Sequence, residues 1–172
     1  MRTLIVSDTH GRHEGLELAL KREKPVDLLV HLGDIGNYAD YYEALADCPL
    51  EAVAGNNDFS VDLPGEQVIN IDGFRIFMTH GHYYSVNYDL GELVRAAAAH
   101  DCTLVMFGLI HRPVMTTIAG ITVLNPGSLS YPRQKGRQRS YMVMTTAPGE
   151  QPSVAVHYLD PAQERGSWGF RQ

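Results

Sequence analysis

Apolar residues in this chain come in short runs closed by Gly, Asp, Asn or Pro, and few stretches repeat them at helical spacing. Runs that short read as strands, because a stable helix face needs about 10–12 residues. Strands are therefore expected over residues 3–7, 28–32, 51–54, 67–71, 75–79, 104–107, 114–118, 121–124, 141–146 and 154–158. Helices are expected over 14–23, where Leu16, Ala19 and Leu20 share a stripe, over 41–46, and over 90–99, with Asp89 placed to cap the start. Strands alternate with helices in the first half, as parallel βαβ units require. In the second half, runs joined by Asp72-Gly73 and Ala119-Gly120 read as antiparallel hairpins. The expected fold is α/β, with two mixed sheets packed as a sandwich between flanking helices.

Size and charge narrow the class of protein. A chain of 172 residues fits one domain, expected to span 1–172, and buries enough surface to need no disulfide or metal staple. With 44% hydrophobic and 20% charged residues it is neither disordered, collagen-like nor a coiled coil. A net charge of −6 argues against general nucleic-acid binding or an anionic membrane surface. The two cysteines, Cys48 and Cys102, make no disulfide framework and no four-thiolate zinc site, and are expected to be small buried apolar residues. Leu4-Ile5-Val6 stops at Ser7-Asp8, and no run approaches the roughly 18 apolar residues that span a bilayer, so a cytoplasmic location is expected. The polar tail over 163–172 is expected to fray unless Trp168 docks it.

Chemistry-bearing residues follow the strands repeatedly. One run ends in Ser7-Asp8-Thr9-His10, another in Gly33-Asp34, a third in Gly55-Asn56-Asn57-Asp58, and later ones in Thr79-His80-Gly81-His82 and Gly108-Leu109-Ile110-His111. Ligands of open α/β sheets bind beyond the carboxyl ends of the strands, so these loops are expected to converge. Asp, Asn and His without thiolate suit manganese, iron, zinc, cobalt or nickel rather than copper(I) or an iron–sulfur cluster. A carboxylate such as Asp34 has two oxygens and can bridge two ions about 3.5–4 Å apart. Taken singly, each piece has a plainer reading as a turn, a helix cap or a buried imidazole; five loops with one chemistry in one structural place favour the metal reading.

The order of these motifs resembles the calcineurin-like metallophosphoesterase family, in particular its small bacterial and archaeal phosphodiesterases. Asp8-x-His10 matches the family's first motif, Gly33-Asp34 and Gly55-Asn56 the next two, and Thr79–His82 the one after; Asn125-Pro126-Gly127-Ser128 followed by Pro132-Arg133 also fits this branch. The resemblance implies a four-layer αββα sandwich and a phosphodiesterase with two divalent ions. One ion would be held by Asp8, His10, Asp34 and His111, the other by the bridging Asp34 with Asn56 and His80. Catalytic roles are implied for Asp8, Asp34, Asn56 and His80. The implied reaction is in-line attack of a metal-bound hydroxide on the phosphorus of a small phosphorylated substrate.

Two departures from the family pattern carry expectations. Its last motif is Gly-His-x-His, and here Leu109 stands in place of the first histidine, so the second metal is expected to bind weakly unless a group such as His82 substitutes. Asn57 stands where many members carry a histidine, and an amide is no general acid. The competing reading is a protein-binding scaffold, the use to which a eukaryotic retromer subunit puts this fold; retention of Asp8, His10, Asp34, Asn56, His80 and His111 favours the enzyme. A structural zinc protein is disfavoured by the lack of a Cys-rich set. The basic run Arg133, Lys135, Arg137, Arg139 reads first as a solvated loop and second as an attractor for phosphate. Tyr83 and Tyr84 are expected in core packing; His13, His31, His100 and His157 are expected in structural or surface roles; homo-oligomerisation is left open.

Overall fold

The computed structural model describes residues 1–161; the expectations for the tail and Trp168 lie outside them. The elements run β1 (Arg2–Val6), α1 (Glu14–Glu23), β2 (Leu28–His31), α2 (Ala39–Ala46), β3 (Leu50–Ala52), β4 (Glu66–Ile71), β5 (Phe74–Thr79), α3 (Gly91–Ala99), β6 (Leu104–Met106), β7 (Pro113–Ile118), β8 (Ile121–Pro126), β9 (Ser140–Thr145) and β10 (Ser153–Tyr158). One sheet has the order β10-β9-β1-β2-β3, the other β4-β5-β6-β8-β7. β1, β2 and β3 are mutually parallel, as are β5, β6 and β8, while β4–β5, β7–β8 and β9–β10 are antiparallel hairpins, β9 also running antiparallel to β1.

Alternation along the strands builds four layers, because successive side chains leave a strand on opposite faces. Leu4 and Val6 of β1, Leu29 of β2, and Tyr141 and Val143 of β9 pack outward against Leu16, Ala19 and Leu20 of α1 and Tyr42 and Ala46 of α2. Their neighbours Ile5, Leu28, Val30, Met142 and Met144 face the other way and meet Ile76, Met78, Leu104 and Met106 of the second sheet. Phe77, Val105 and Val123 close the last layer against Leu93, Val94 and Ala97 of α3. The α/β sandwich expected from the sequence is thus present, with helices outside both sheets.

The β4–β5 and β7–β8 turns each place two successive residues at positive φ, Asp72 and Gly73 at 50° and 89°, Ala119 and Gly120 at 49° and 79°. Such turns match the twist of the paired strands. At the start of α3 the backbone cap is Leu90 rather than Asp89, yet the Asp89 carboxylate accepts the Gly91 N–H at 2.7 Å. Among the described residues, no helix is long and apolar enough to cross a membrane.

Candidate metal centre

Because β1, β2 and β3 run parallel in one sheet and β5 and β6 in the other, their carboxyl ends share one edge of the sandwich, and all five chemistry-bearing loops emerge there. Asp8, His10 and His111 offer ligand atoms within 4.8 Å of one another, and so do Asp8, Asp34 and His80; Asp8 is common to both groups. Asp34 Oδ2 lies 3.5 Å from both His10 Nε2 and His80 Nε2. Asn56 Oδ1 is 3.0 Å from His80 Nε2. Asp8, Asp34, His80 and His111 are buried, His10 is half-buried, and Asn56 is exposed at the mouth.

Hydrogen bonds behind the ligand atoms aim them. His80 Nδ1 is 2.6 Å from the Leu32 carbonyl and His111 Nδ1 is 2.8 Å from the Tyr131 carbonyl. A carbonyl only accepts, so both Nδ1 atoms carry the proton and both Nε2 lone pairs face the centre. Asp8 Oδ1 is buried without a hydrogen-bond donor, 3.0 Å from His111 Nε2 and 3.7 Å from those of His10 and His80. An unpartnered carboxylate oxygen among imidazole lone pairs is costly unless a cation lies between them, so this donor set fits a divalent ion.

Burial works to raise the Asp8 carboxyl pKa, but the surrounding imidazoles of His10, His111 and His80 outweigh it and hold it well below the carboxylate range. For Asp34, burial is likewise overcome, by His80 and by the side chain and backbone of Asn57, and the pKa falls to about 2. Both are ionised at neutral pH. Burial pulls the His80 pKa down, but Asp34 and Asp8 prevail and raise it.

Several residues hold the ligand loops in ways that the sequence did not indicate. Asn57 donates its backbone N–H to Asp34 Oδ1 and its amide to Asp34 Oδ2, both at 2.9 Å. The Asp58 carboxylate accepts the N–H groups of Ile35, Gly36 and Gly55, tying the β2 loop to the β3 loop. Ser128 and Ser130 donate to the Asp8 carbonyl at 2.8 and 2.7 Å, and Asn125 donates to the Gly108 carbonyl at 2.7 Å. The Asn125–Ser128 segment therefore braces two ligand loops. Only its membership in a motif marked it in the sequence.

Leu109 gives its backbone N–H to Asp8 Oδ2 at 3.2 Å and packs its side chain toward the α3 layer. His82 stands beside His80, ring centroids 5.6 Å apart, outside both ligand groups, and burial holds its pKa below normal. Tyr84 packs edge-on to Phe77 as expected, whereas Tyr83 is 69% exposed, because the loop after β5 turns it outward. His31 is buried against Thr9 and Tyr42, His100 stacks on Phe77, His157 on Tyr141, and His13 lies 3.0 Å from the Tyr42 hydroxyl.

The model of the calcineurin-like phosphoesterase superfamily domain matches residues 1–149. The probable metallophosphoesterase YsnB of Bacillus subtilis is 32% identical over 163 residues, covering 94% of this chain and 92% of the relative. Phosphodiesterase YfcE of Escherichia coli is 30% identical over 166 residues, covering 82% and 85%. Among solved structures, Vps29 of Entamoeba histolytica complexed with zinc superposes with a TM-score of 0.74 at 19% identity, covering 93% of this chain and all of that one, a likeness of fold. With the family model spanning most of the chain, and the five strand-end motifs meeting at one sandwich edge, the chain belongs to the calcineurin-like phosphoesterase superfamily.

Proposed function

We propose that the protein is a metal-dependent phosphodiesterase acting on small phosphorylated substrates. The observation that carries this reading is Asp8 Oδ1, buried without a donor and ringed by the Nε2 atoms of His10, His80 and His111. Asp8, His10, Asp34 and His111 would hold one divalent ion, and Asp34, Asn56 and His80 a second, with manganese our first choice. When bound, such ions supply a nucleophile from water near neutral pH and neutralise the phosphoryl oxygens during in-line displacement.

The protein's own groups do the rest. The carbonyls of Leu32 and Tyr131 keep the His80 and His111 lone pairs pointed inward, and Asn57 locks the Asp34 carboxylate in one orientation. Leu109 offers no ligand, so the second ion binds weakly. The Asn57 amide is too weak an acid to protonate a leaving group, so esters with good leaving groups are preferred. Cys48 and Cys102, their thiol pKa values raised by burial, suit a reducing cytoplasm.

The test is hydrolysis of bis-p-nitrophenyl phosphate during a manganese titration, with Asp34→Asn as control. Saturable turnover abolished by the substitution supports the enzyme. Absence of turnover at millimolar manganese, from folded protein, would move the reading to the protein-binding scaffold that the loss at Leu109 also fits.

A further inference from the structure

Two clefts open on either side of His10, and they differ in charge. The larger, about 780 Å³, runs from His10 and His111 along Tyr131 to Arg133 and Arg137, with no carboxylate in its lining. The smaller, about 310 Å³, is lined by Asp34 and Asp58 together with Asn57 and Tyr38, with no lysine or arginine. A negatively charged substrate arm finds arginine partners in the first and no lysine or arginine in the second.

The arginines of the larger cleft are unneutralised among the described residues, and Arg133 is anchored as well. Among the described residues, neither Arg133, Arg137 nor Arg12 pairs with a carboxylate, although acidic residues outnumber basic ones in this chain. Arg139, in the same loop, is by contrast held by Asp160 through two bonds of 2.8 and 3.0 Å and lies 3.5 Å from Glu14. That clamp fixes the far end of the loop. At the near end, the Arg133 N–H donates to the His111 carbonyl at 2.8 Å and its guanidinium reaches the Leu109 carbonyl at 3.5 Å. Arg12, outside the cleft lining, stacks over the Tyr131 ring, 4.5 Å from its centroid, while Tyr131 packs edge-on against His10. Cations without counter-ions among the described residues, set in a concave surface, form a site for an anion, and a planar guanidinium suits phosphate.

We infer that the Arg133–Arg137 cleft is a subsite for a second phosphate on the substrate, so that the preferred ester carries another phosphate on the arm entering this cleft while the uncharged arm lies toward Tyr38. The inference rests on the phosphoesterase reading above and deepens it by naming the substrate class. The cleft's volume exceeds that of one phosphoryl group, and Arg133 is tied to the loop bearing His111, so a second anion is registered against the reacting one.

The experiment compares the 5′-p-nitrophenyl ester of thymidine 5′-phosphate with the same ester carrying an added 3′-phosphate, which share nucleoside and leaving group. Wild-type protein is expected to prefer the 3′-phosphorylated ester at least about tenfold in kcat/KM, the factor one charge-assisted hydrogen bond supplies. Arg133→Ala and Arg137→Ala each reduce that preference to about threefold or less, mostly through KM, while Lys135→Ala, outside the cleft lining, keeps it. A matched ester pair on propane-1,3-diol separates a nucleotide arm, preferred only with thymidine, from any phosphorylated arm, preferred in both. Absence of preference in wild type, or equal loss on both esters in the arginine variants, overturns the inference. Calorimetric binding of thymidine 3′,5′-bisphosphate against thymidine 5′-phosphate, with manganese, provides a readout without turnover. A binding preference lost in the arginine variants, with no hydrolysis of either ester, would sink the phosphoesterase reading and leave the subsite standing; equal binding sinks the subsite.

Discussion

At the scale of single residues, the site is built on unusual backbone. Asp8, His10, Asp34, Leu109 and His111 all have positive φ, between 49° and 68°. Asp and His tolerate this region better than most residues, and Leu does not, so strain collects at Leu109, where the last family motif has a histidine. Leu109→His restores a potential ligand and suits the local backbone. It is expected to tighten manganese binding severalfold or more, read as a fall in the manganese concentration giving half-maximal turnover; an unchanged titration would count against weak second-ion binding. Gly55 needs no positive φ, but any Cβ there would overlap the Asp34 carboxylate and backbone. Gly55→Ala should therefore cost at least about tenfold in manganese affinity by displacing Asp34, with circular dichroism unchanged. The ligand residue types were readable from the sequence because each sits next to a strand end. The bracing roles of Asn57, Asp58 and Ser128 were not, because they bond groups of other loops, and nothing in one loop's sequence says which loop folds against it.

At the scale of elements, every expected strand and helix is present, with ends displaced by one or two residues. α2 starts at Ala39 rather than residue 41, and β3 begins at Leu50, one residue early, because its register is set by pairing Leu29 with Leu50. Such ends depend on partner strands, which local pattern does not specify. The hairpins were legible because Asp-Gly and Ala-Gly sit between alternating runs. Ala119 nonetheless adopts a left-handed conformation that costs an alanine about 1–2 kcal/mol, against the roughly 0.5–1 kcal/mol of extra chain entropy that glycine loses. Ala119→Gly is expected to stabilise the fold by about 0.5–1 kcal/mol, raising Tm by roughly 1–4 °C with unchanged activity. A lower Tm would show that the turn carries no strain.

At the scale of the molecule, burying polar residues between layers couples stability to pH. Burial is the main cause that lowers the His31 pKa to about 4, against the ordinary 6.5. The unfolded chain therefore binds a proton over that interval that the folded chain refuses, and stability falls as pH drops from about 6.5 toward 4. Asp34, with its pKa near 2, has the opposite displacement relative to its own reference of 3.8, and its contribution is lost only below about pH 4. Urea denaturation between pH 7.5 and 4.5 should show the midpoint falling through the first window, and His31→Asn should flatten that decline. A wild-type midpoint independent of pH across this range would refute a buried neutral His31.

Sequence alone determined the strand and helix inventory, the two hairpins and the residue types at the metal centre, because these follow from periodicity over a few residues and from chemistry carried by each side chain. Tertiary structure decided which groups meet. It put Asp8 in both ligand groups, set Asn57 against Asp34, left Arg133 and Arg137 without a carboxylate partner among the described residues while Asp160 holds Arg139, and lined one cleft beside His10 with arginines and the other with carboxylates. These depend on how the two sheets stack and where parallel strands end. Distance and desolvation at that edge arise from packing between residues as far apart as Asp8 and Ser128, which no local pattern encodes.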